Sequence, residues 1–355
     1  MKRFGLSLFC VLCFLPIVAQ QNIDLLASAG KTHPVKLSEI ATSIRTVQLE
    51  TTDDCLLVPE QMYIYYGKES IFAFDGMDPG NYYRFTLDGK FVNRIGKPGP
   101  GPEEYREGGH FMVDEAKNEF WIQDWRSFSF YIYTLEGKFK RKVPVEKGVF
   151  LNSKPALNGE LIVYANCHLP NKPDVQELFC ADAQTGKLQG SVKSTLFKDR
   201  DFKSLSLSPI LYTYKDNIYY TNTLQNVIHR TPPTMQLIPT YQLNIGKIND
   251  EDLGDLLQPS DDANYILLRR IYEKDSFLLF SYVYKGKLYW SVCSKKDWKC
   301  RNVVSKTGFI NDLEPSEKPF ICSFYKSESE DHLIGYIPDE IGEDNPAIVI
   351  VTLKK

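Results

Sequence analysis

The stretch that decides the fold is Leu87-Asp88-Gly89-Lys90-Phe91, which returns as Leu135-Glu136-Gly137-Lys138-Phe139 and, more loosely, as Gln184-Thr185-Gly186-Lys187-Leu188. The glycines of these three segments, at positions 89, 137 and 186, are spaced by 48 and then 49 residues. A repeat of this length is the mark of a stacked or circular array. Because the flanking segments have the patterns of strands, the sequence predicts an all-β fold, a β-propeller whose blades are four-stranded antiparallel sheets.

Strand patterns can be followed through six such units, and the sixth has only three clear strands before the chain ends. We expect Ile44–Glu50 to supply the missing fourth strand and so close the ring, which leaves no unpaired edge at the seam. Seven blades, one of them degraded, is the alternative count. The predicted organisation is a signal peptide over 1–19, a lead-in segment over 20–43, and a single six-bladed domain over 44–355 with a short helical insertion near 247–260.

The N-terminus has the pattern of an export signal. Two cations, Lys2 and Arg3, precede an apolar run that ends at Val18, and Ala19 offers a cleavage site. This apolar run is shorter than a transmembrane helix usually is, and no later apolar segment is long enough to span a membrane. We therefore expect an exported protein, periplasmic or secreted, with no transmembrane segment in the mature chain. A lipoprotein is the less favoured alternative, because a leucine precedes Cys13 where a small residue is wanted.

Six of the eight cysteines follow the leader, and an even number in an oxidising compartment permits disulfides. Cys293 and Cys300 lie symmetrically about a predicted turn, which makes them opposed neighbours on two strands of the fifth blade. Cys167 and Cys180, on adjacent predicted strands of the third blade, form a second candidate pair. The alternative for all six is the role of a small buried hydrophobic residue.

The net charge and the absence of several motifs argue against some classes of function. The formal net charge is −3 and no basic block is present, which argues against a nucleic-acid partner. The chain has no nucleophile elbow, phosphate loop or dinucleotide-binding motif. Its histidines fall at different phases of the repeat, so we do not expect them to meet on one metal. No cofactor is predicted, although a calcium ion bound by oxygen ligands stays open.

The segment from Ile95 to Tyr105, which reads IGKPGPGPEEY, follows the first blade. It resembles the G-x-G-P-G-E-Y signature of exported bacterial six-bladed propellers with an NHL-like fold, except that Glu103 stands where the family usually has Gly. The strand Ile44–Glu50 after the leader and the strand pattern that ends in Asp88–Val92 are also similar to that family. The resemblance covers most of the mature chain and implies fold and export, but the group largely lacks assigned biochemistry.

The same segment carries candidate ligand contacts. It joins the outer strand of the first predicted blade to the inner strand of the second, and such connections run over one face toward the central channel, where propellers usually bind ligands. Glu104, Tyr105, Arg106 and His110 are therefore candidates on the channel face. The alternative is that the loop is structural and that Tyr105 packs inside it.

A second group of candidates, Asp124, Trp125 and Arg126, ends a strand of the second blade. A carboxylate beside an indole and a guanidinium can bind a polar or sugar-like ligand. The alternative is an aspartate that caps a turn, with an arginine partner.

These observations favour an exported, non-enzymatic binding module that presents a loop-lined channel face to a small ligand, a glycan or an envelope protein. A lyase or hydrolase of the lactonase or sugar-processing kind, with an oxygen-ligated divalent metal, is the first alternative. A scaffold in a cell-envelope complex is the second. Whether the protein is an enzyme stays open from the sequence alone.

Overall fold

The computed structural model describes residues 21–59, 61–145, 156–166, 168–170, 175–194, 204–206, 208–248, 261–315, 318–323, 329–337 and 344–355. The predicted signal peptide over 1–19 lies outside the described residues, as do Cys167 and positions 249–260 of the predicted helical insertion.

Six blades form the ring. Three elements at the N-terminus precede the first complete blade. The chain begins with strand β1 (Gln21–Asp24), helix α1 (Leu37–Ile40) and strand β2 (Ala41–Gln48). Two complete blades follow, each a four-stranded antiparallel sheet in chain order. Blade 1 consists of β3 (Tyr63–Tyr66), β4 (Ser70–Phe74), β5 (Tyr82–Thr86) and β6 (Phe91–Ile95), and blade 2 of β7 (Gly108–Asp114), β8 (Glu119–Asp124), β9 (Ser129–Tyr133) and β10 (Phe139–Pro144).

Blades 3 to 5 repeat the arrangement with additions. Blade 3 contains β11 (Ala156–Asn158), β12 (Leu161–Ala165), β14 (Gln176–Asp182) and β15 (Leu188–Lys193), beside a ribbon of β13 (His168–Pro170) and β16 (Ser204–Ser206). Blade 4 contains β17 (Pro209–Tyr214), β18 (Asn217–Asn222), β19 (Val227–Thr231) and β20 (Ile238–Asn244). Blade 5 contains β21 (Leu267–Glu273), β22 (Phe277–Tyr284), β23 (Lys287–Ser294) and β24 (Cys300–Val304).

Blade 6 joins the two ends of the chain. Its strands β25 (His332–Ile337) and β26 (Ala347–Leu353) pair with each other, and β2 pairs antiparallel with the outer side of β26. The register sets Ile44 opposite Val351, so the predicted closing strand is confirmed, although it begins three residues and ends two residues earlier than expected. The innermost strand of blade 6 is represented among the described residues by a bridge from Phe309 to Phe320 and by a hydrogen bond from Ser323 N to Ile334 O (2.7 Å).

The hydrophobic core is divided between neighbouring blades, and this division fixes the count at six. Each pair of adjacent blades encloses its own cluster of buried side chains. The cluster between blades 1 and 2, for example, contains Phe72 and Tyr82 from one side and Phe111 and Phe120 from the other. The sixth cluster joins blade 6 to blade 1, with Ile348 packed near Ile64. Sheets that are apolar on both faces must be covered on both, and a closed ring achieves this.

The repeated glycines occupy one kind of turn. Gly89, Gly137 and Gly186 have φ values of +89°, +87° and +70° in the connection between the third and fourth strands of blades 1 to 3, a conformation that favours glycine. In blades 4 and 5 the corresponding connections contain Met235 and Trp298 at φ +57°. The backbone turn thus persists where the glycine signal is lost.

The N-terminal strap, residues 21–40, lies along the outer edges of blades 4 and 5 before it enters blade 6. Strand β1 adds to blade 4 as a fifth strand, parallel to β20. Further along, the N–H of His33 donates to Asn302 O (2.8 Å) and the N–H of Leu37 to Ile310 O (2.9 Å). The predicted lead-in is therefore paired to the blades along most of its length.

A buried carboxyl at the start of β14 gives a pH-dependent prediction. Glu177 is 3% exposed and accepts a hydrogen bond from Gln225 Nε2 (3.0 Å). Burial raises the pKa of this carboxyl above its ordinary 4.5, so the folded state favours the protonated acid. The contribution of Glu177 to stability is therefore complete below pH 4.5 and is lost as the pH rises through the folded pKa.

We expect Glu177→Gln to stabilise the protein by about 1 kcal/mol at pH 7, and the gain to disappear toward pH 4, because glutamine has no charge to desolvate. Urea unfolding of both proteins across this pH range measures the difference. Glu103→Gln, a change at an exposed residue, is the control. The difference in the free energy of unfolding between Glu103→Gln and the wild type should not change with pH. A difference between Glu177→Gln and the wild type that does not change with pH would refute the assignment.

Candidate functional site

Three connections lie together at one end of blades 1 and 2, here called the upper face. They are the turn over 75–81 in blade 1, the loop over 96–107 that leads into blade 2, and the turn over 125–128 in blade 2. Antiparallel pairing places them there, because each follows a strand that runs toward the same end of its sheet. All seven residues predicted to contact a ligand lie on or beside these connections.

Asp124 organises the upper face from inside. Its side chain is fully buried, and its carboxylate accepts hydrogen bonds from the backbone N–H groups of Arg106 (3.1 Å) and Glu107 (3.3 Å) in the long loop. It also accepts from the N–H groups of Arg126 (3.0 Å) and Ser127 (3.4 Å) and from the Ser127 hydroxyl (2.9 Å). Asp124 therefore ties the loop to the turn, which is the capping role left open as an alternative by the sequence.

Asp75 plays the same part in blade 1. It is 4% exposed, and its carboxylate accepts from the N–H groups of Met77 (3.0 Å) and Asn81 (2.9 Å) and from Asn81 Nδ2 (2.8 Å). Each of the two turns is thus built around an aspartate at the end of the second strand of its blade. Short polar side chains of this kind satisfy the backbone of a turn locally.

The loop over 96–107 is held by its own side chains. Tyr105 is fully buried, and its hydroxyl donates to Gly80 O (2.8 Å), while the hydroxyl of Tyr133 donates to Glu103 O (2.7 Å). Glu104 accepts from the N–H of Gly101 (3.0 Å) and pairs with Lys97 (3.2 Å), and these contacts lower the pKa of its carboxyl. Tyr105 and Glu104 accordingly shape the loop, and Tyr105 has no surface for a ligand.

His110 and Trp125 line a pocket of about 270 Å³ between the inner strands of blades 1 and 2. His110 stands edge-on to Tyr63, with ring centroids 6.1 Å apart. The remaining lining residues are Phe74, Gly76, Met77, Asp78, Glu107, Gly108 and Gly109. The pocket is therefore lined by aromatic side chains together with two acidic residues, Asp78 and Glu107.

A bulge in β7 places His110 in this pocket. The register advances from Gly108 opposite Asp124 to Phe111 opposite Ile122, so that Gly109 and His110 share the single partner position of Gln123. Bulges of this kind re-aim side chains and are frequent beside functional sites. A Cβ at position 109 would lie 2.5 Å from two atoms of the Trp125 indole, so glycine at this position lets the indole lie against the bulged backbone.

Arg106 and Arg126 line a neighbouring cleft of about 490 Å³, together with Pro79, Pro98, Gly99 and Pro100. Both arginines are exposed, and Arg126 Nε pairs with Glu107 Oε2 at 2.8 Å. The pocket and the cleft are adjacent, because Arg106 and Arg126 of the cleft directly neighbour Glu107 and Trp125 of the pocket in the chain.

The structure thus separates the seven predicted residues into two groups. Arg106, His110, Trp125 and Arg126 line the cavities, whereas Glu104, Tyr105 and Asp124 support them. Sequence reasoning missed Tyr63, Asp78 and Glu107 as lining residues. Tyr63 stands near the start of the inner strand of blade 1 as His110 does in blade 2, and comparison of equivalent positions in the repeat was the signal that could have found it.

Within the described ranges, no group of three or more His, Cys, Asp or Glu side chains is placed to hold a metal ion. Among the helices described, none has the length and apolar character needed to cross a membrane.

Two proteins of known structure are similar in fold to this chain. A protein of Bacteroides fragilis whose name marks it as a candidate for export is similar in structure, with a TM-score of 0.68 and 18% identity over 94% of this chain and 99% of that one. A member of the DUF4221 family from Bacteroides vulgatus has a TM-score of 0.55 and 12% identity over 88% of this chain and 97% of that one. At such identities the likeness shows the fold alone.

No curated protein matches the chain. The model of one family, a domain of unknown function named DUF4934, matches residues 20–345. That span takes in nearly all of the chain, including the N-terminal strap, the closing strand and the upper face. The protein is therefore a β-propeller that belongs to the DUF4934 family.

Proposed function

We propose that the protein is a binding module that takes a small neutral sugar, or the end of a glycan, in the pocket lined by Tyr63, His110 and Trp125. The observation that supports this most is the combination of aromatic walls with the carboxylates of Asp78 and Glu107 in one cavity on the upper face. Aromatic faces cover the apolar side of a sugar ring, and carboxylates accept hydrogen bonds from its hydroxyls.

The size of the pocket favours a single ring. Its volume of about 270 Å³ is just below the range of about 300–1,000 Å³ that is usual for small-molecule sites. A longer ligand would extend over the adjacent cleft, where Arg106 and Arg126 present guanidinium groups that can bind an acidic substituent. The upper face would therefore accept a glycan chain with its terminal ring in the pocket.

Export forms part of the same proposal and rests on the leader over 1–19. Cleavage after Ala19 would leave Gln20 as the first residue, immediately before β1 begins at Gln21. The mature protein would then meet its glycan outside the cytoplasm. N-terminal sequencing of the protein recovered from the cell envelope or medium tests this part, and a chain that still begins at Met1 would contradict it.

The experiment for binding is a titration of the mature protein with glucose, galactose, mannose and N-acetylglucosamine, followed by tryptophan emission and by thermal unfolding. We expect at least one sugar to shift the emission and raise Tm, because a ligand at about 100 times Kd adds about 2.7 kcal/mol to the free energy of unfolding. Trp125→Phe should remove the emission change and weaken binding about tenfold through lost contact area.

Trp298→Phe is the matched control, because Trp298 is also partly buried but lies on blade 5, away from the upper face. It should bind as the wild type does. A panel in which no sugar changes Tm, or in which Trp125→Phe binds as well as the wild type, would refute the proposal. A protein that co-purifies with the chain and is released by Arg106→Ala would favour an envelope partner instead.

A further inference from the structure

The geometry of the outer hairpin of blade 5 brings two cysteines face to face. Cys293 in β23 is directly opposite Cys300 in β24. In the next pair of the ladder, the N–H of Ser294 donates to Lys299 O (3.1 Å). Hydrogen-bonded and non-hydrogen-bonded pairs alternate along an antiparallel ladder, so the two cysteines form a non-hydrogen-bonded pair. Side chains approach each other most closely at such pairs, within the range of Cα separations that a disulfide needs.

The two thiols are free in the structure and differ in access. Cys293 is fully buried in the cluster between blades 4 and 5, whereas Cys300 is partly exposed. Cys300 opens onto a cavity of about 710 Å³ between the N-terminal strap and the hairpin, and Lys31, His33, Lys299 and Arg301 also line this cavity. A small disulfide molecule can thus reach one sulfur of the pair but not the other.

The pKa shifts of the two thiols likewise favour Cys300 as the more reactive one. The hydrogen bond between them lowers the pKa of Cys300, which accepts it, and raises the pKa of Cys293, which donates it. Burial of Cys300 and the carboxylates of Asp24 and Asp297, which also line the cavity, act in the opposite direction, but the hydrogen bonds to Cys293 and Ser291 outweigh them. A lowered pKa favours the thiolate, which is the reactive form. In contrast, burial raises the pKa of the Cys55 and Cys322 thiols to about 12, and raises that of Cys180 as well.

We propose that Cys293 and Cys300 form a reversible dithiol–disulfide couple in which Cys300 reacts with an incoming disulfide and Cys293 completes the bond. In the first step the Cys300 thiolate attacks one sulfur of a low-molecular-weight disulfide, forms a mixed disulfide and releases one thiolate. Cys293 then loses its proton and attacks the Cys300 sulfur, which releases the second thiolate. The protein loses two electrons and two protons, and the small disulfide is reduced to two thiols.

The test uses the reduced mature protein with oxidised glutathione as the probe, followed by mass spectrometry of its peptides. The wild type should form the Cys293–Cys300 disulfide and retain no glutathione. Cys293→Ser should accumulate glutathione on Cys300, because the second step is lost. Cys300→Ser should leave Cys293 unmodified, because the Cys293 side chain is fully buried. Cys55 and Cys322 serve as internal controls and should stay reduced in all three proteins.

Two results would overturn the assignment. One is a wild type that keeps both thiols after exposure to excess oxidised glutathione. The other is a Cys300→Ser variant that takes glutathione on Cys293 as fast as Cys293→Ser takes it on Cys300. If a variant fails to fold, the rates at which the two thiols of the reduced wild type are alkylated test the proposal instead. Cys300 should react at least about tenfold faster than Cys293. Equal rates of alkylation would refute the proposal.

Discussion

A chain that lacks residues 21–49 will show no cooperative thermal unfolding, because it has lost both the strap and the strand that closes the ring. Seven large aliphatic side chains of this segment are buried: Ile23, Leu25, Val35, Leu37, Ile40, Val47 and Leu49. At about 1.5 kcal/mol each, their burial contributes roughly 10 kcal/mol, which is comparable to the whole stability of a typical domain. Strand β26 would also be left as an open edge. Differential scanning calorimetry and size-exclusion chromatography measure the loss.

The matched control is a chain that lacks residues 21–24 alone. That deletion removes β1 from a blade that already has four strands, and with it one buried aliphatic side chain, Ile23, so we expect a loss of about 2 kcal/mol with cooperativity retained. A synthetic peptide spanning residues 34–49, added in trans, should restore part of the transition to the longer deletion. If the longer deletion melted at the same temperature as the complete chain, the described closure would be incorrect.

Asp124→Ala is expected to lower the free energy of unfolding by about 3 kcal/mol, because it leaves buried donors without an acceptor. Four backbone N–H groups and the Ser127 hydroxyl now donate to this carboxylate. An unsatisfied buried donor costs about 1–3 kcal/mol, although donors at the edge of the turn will recover water. Equilibrium unfolding in urea gives the difference directly, as a shift of the midpoint at constant slope.

Asp88→Ala is the control for Asp124→Ala. Asp88 is an exposed aspartate in a turn at the opposite end of blade 1, where it accepts a hydrogen bond from Thr86, so we expect a much smaller change than for Asp124→Ala. Asp124→Asn should fall between the two, since it keeps one carbonyl oxygen for the turn. If Asp124→Ala proved as stable as Asp88→Ala, the carboxylate would not be the tie between loop and turn described here.

The blade pattern was predictable because its causes are local. A turn that needs a positive φ selects glycine, and the strands on either side of it alternate or stay apolar, so the period of 48 and 49 residues is visible in blades 1 to 3. The period fades in blades 4 and 5 because Met235 and Trp298 adopt the same backbone conformation without glycine. The closing strand was predictable by counting, since the last blade had three strands and the ring required four.

Other features depend on distant contacts and left no local signal. The parallel addition of β1 to blade 4 is fixed by partners more than two hundred residues away, such as Tyr241 opposite Gln21. The bulge at Gly109 and His110 depends on how two strands meet. For the candidate site, the sequence selected residues that the structure brings together on the upper face. It did not distinguish residues that line a cavity from those that support it, because that difference depends on which way each side chain points.

The N-terminal strap also sets an order in which the molecule can be completed. Its partners lie in the second half of the chain: Asp24 accepts from Asn244 at a separation of 220 residues, and Ser38 donates to Asp312 at a separation of 274. The strap residues are synthesised early but can pair only after Asn244 and Asp312 have been synthesised. Contacts between residues so far apart in the sequence form slowly. If the chain is exported as proposed, the strap would pair with blades 4 and 5 only after most of the polypeptide had crossed the membrane.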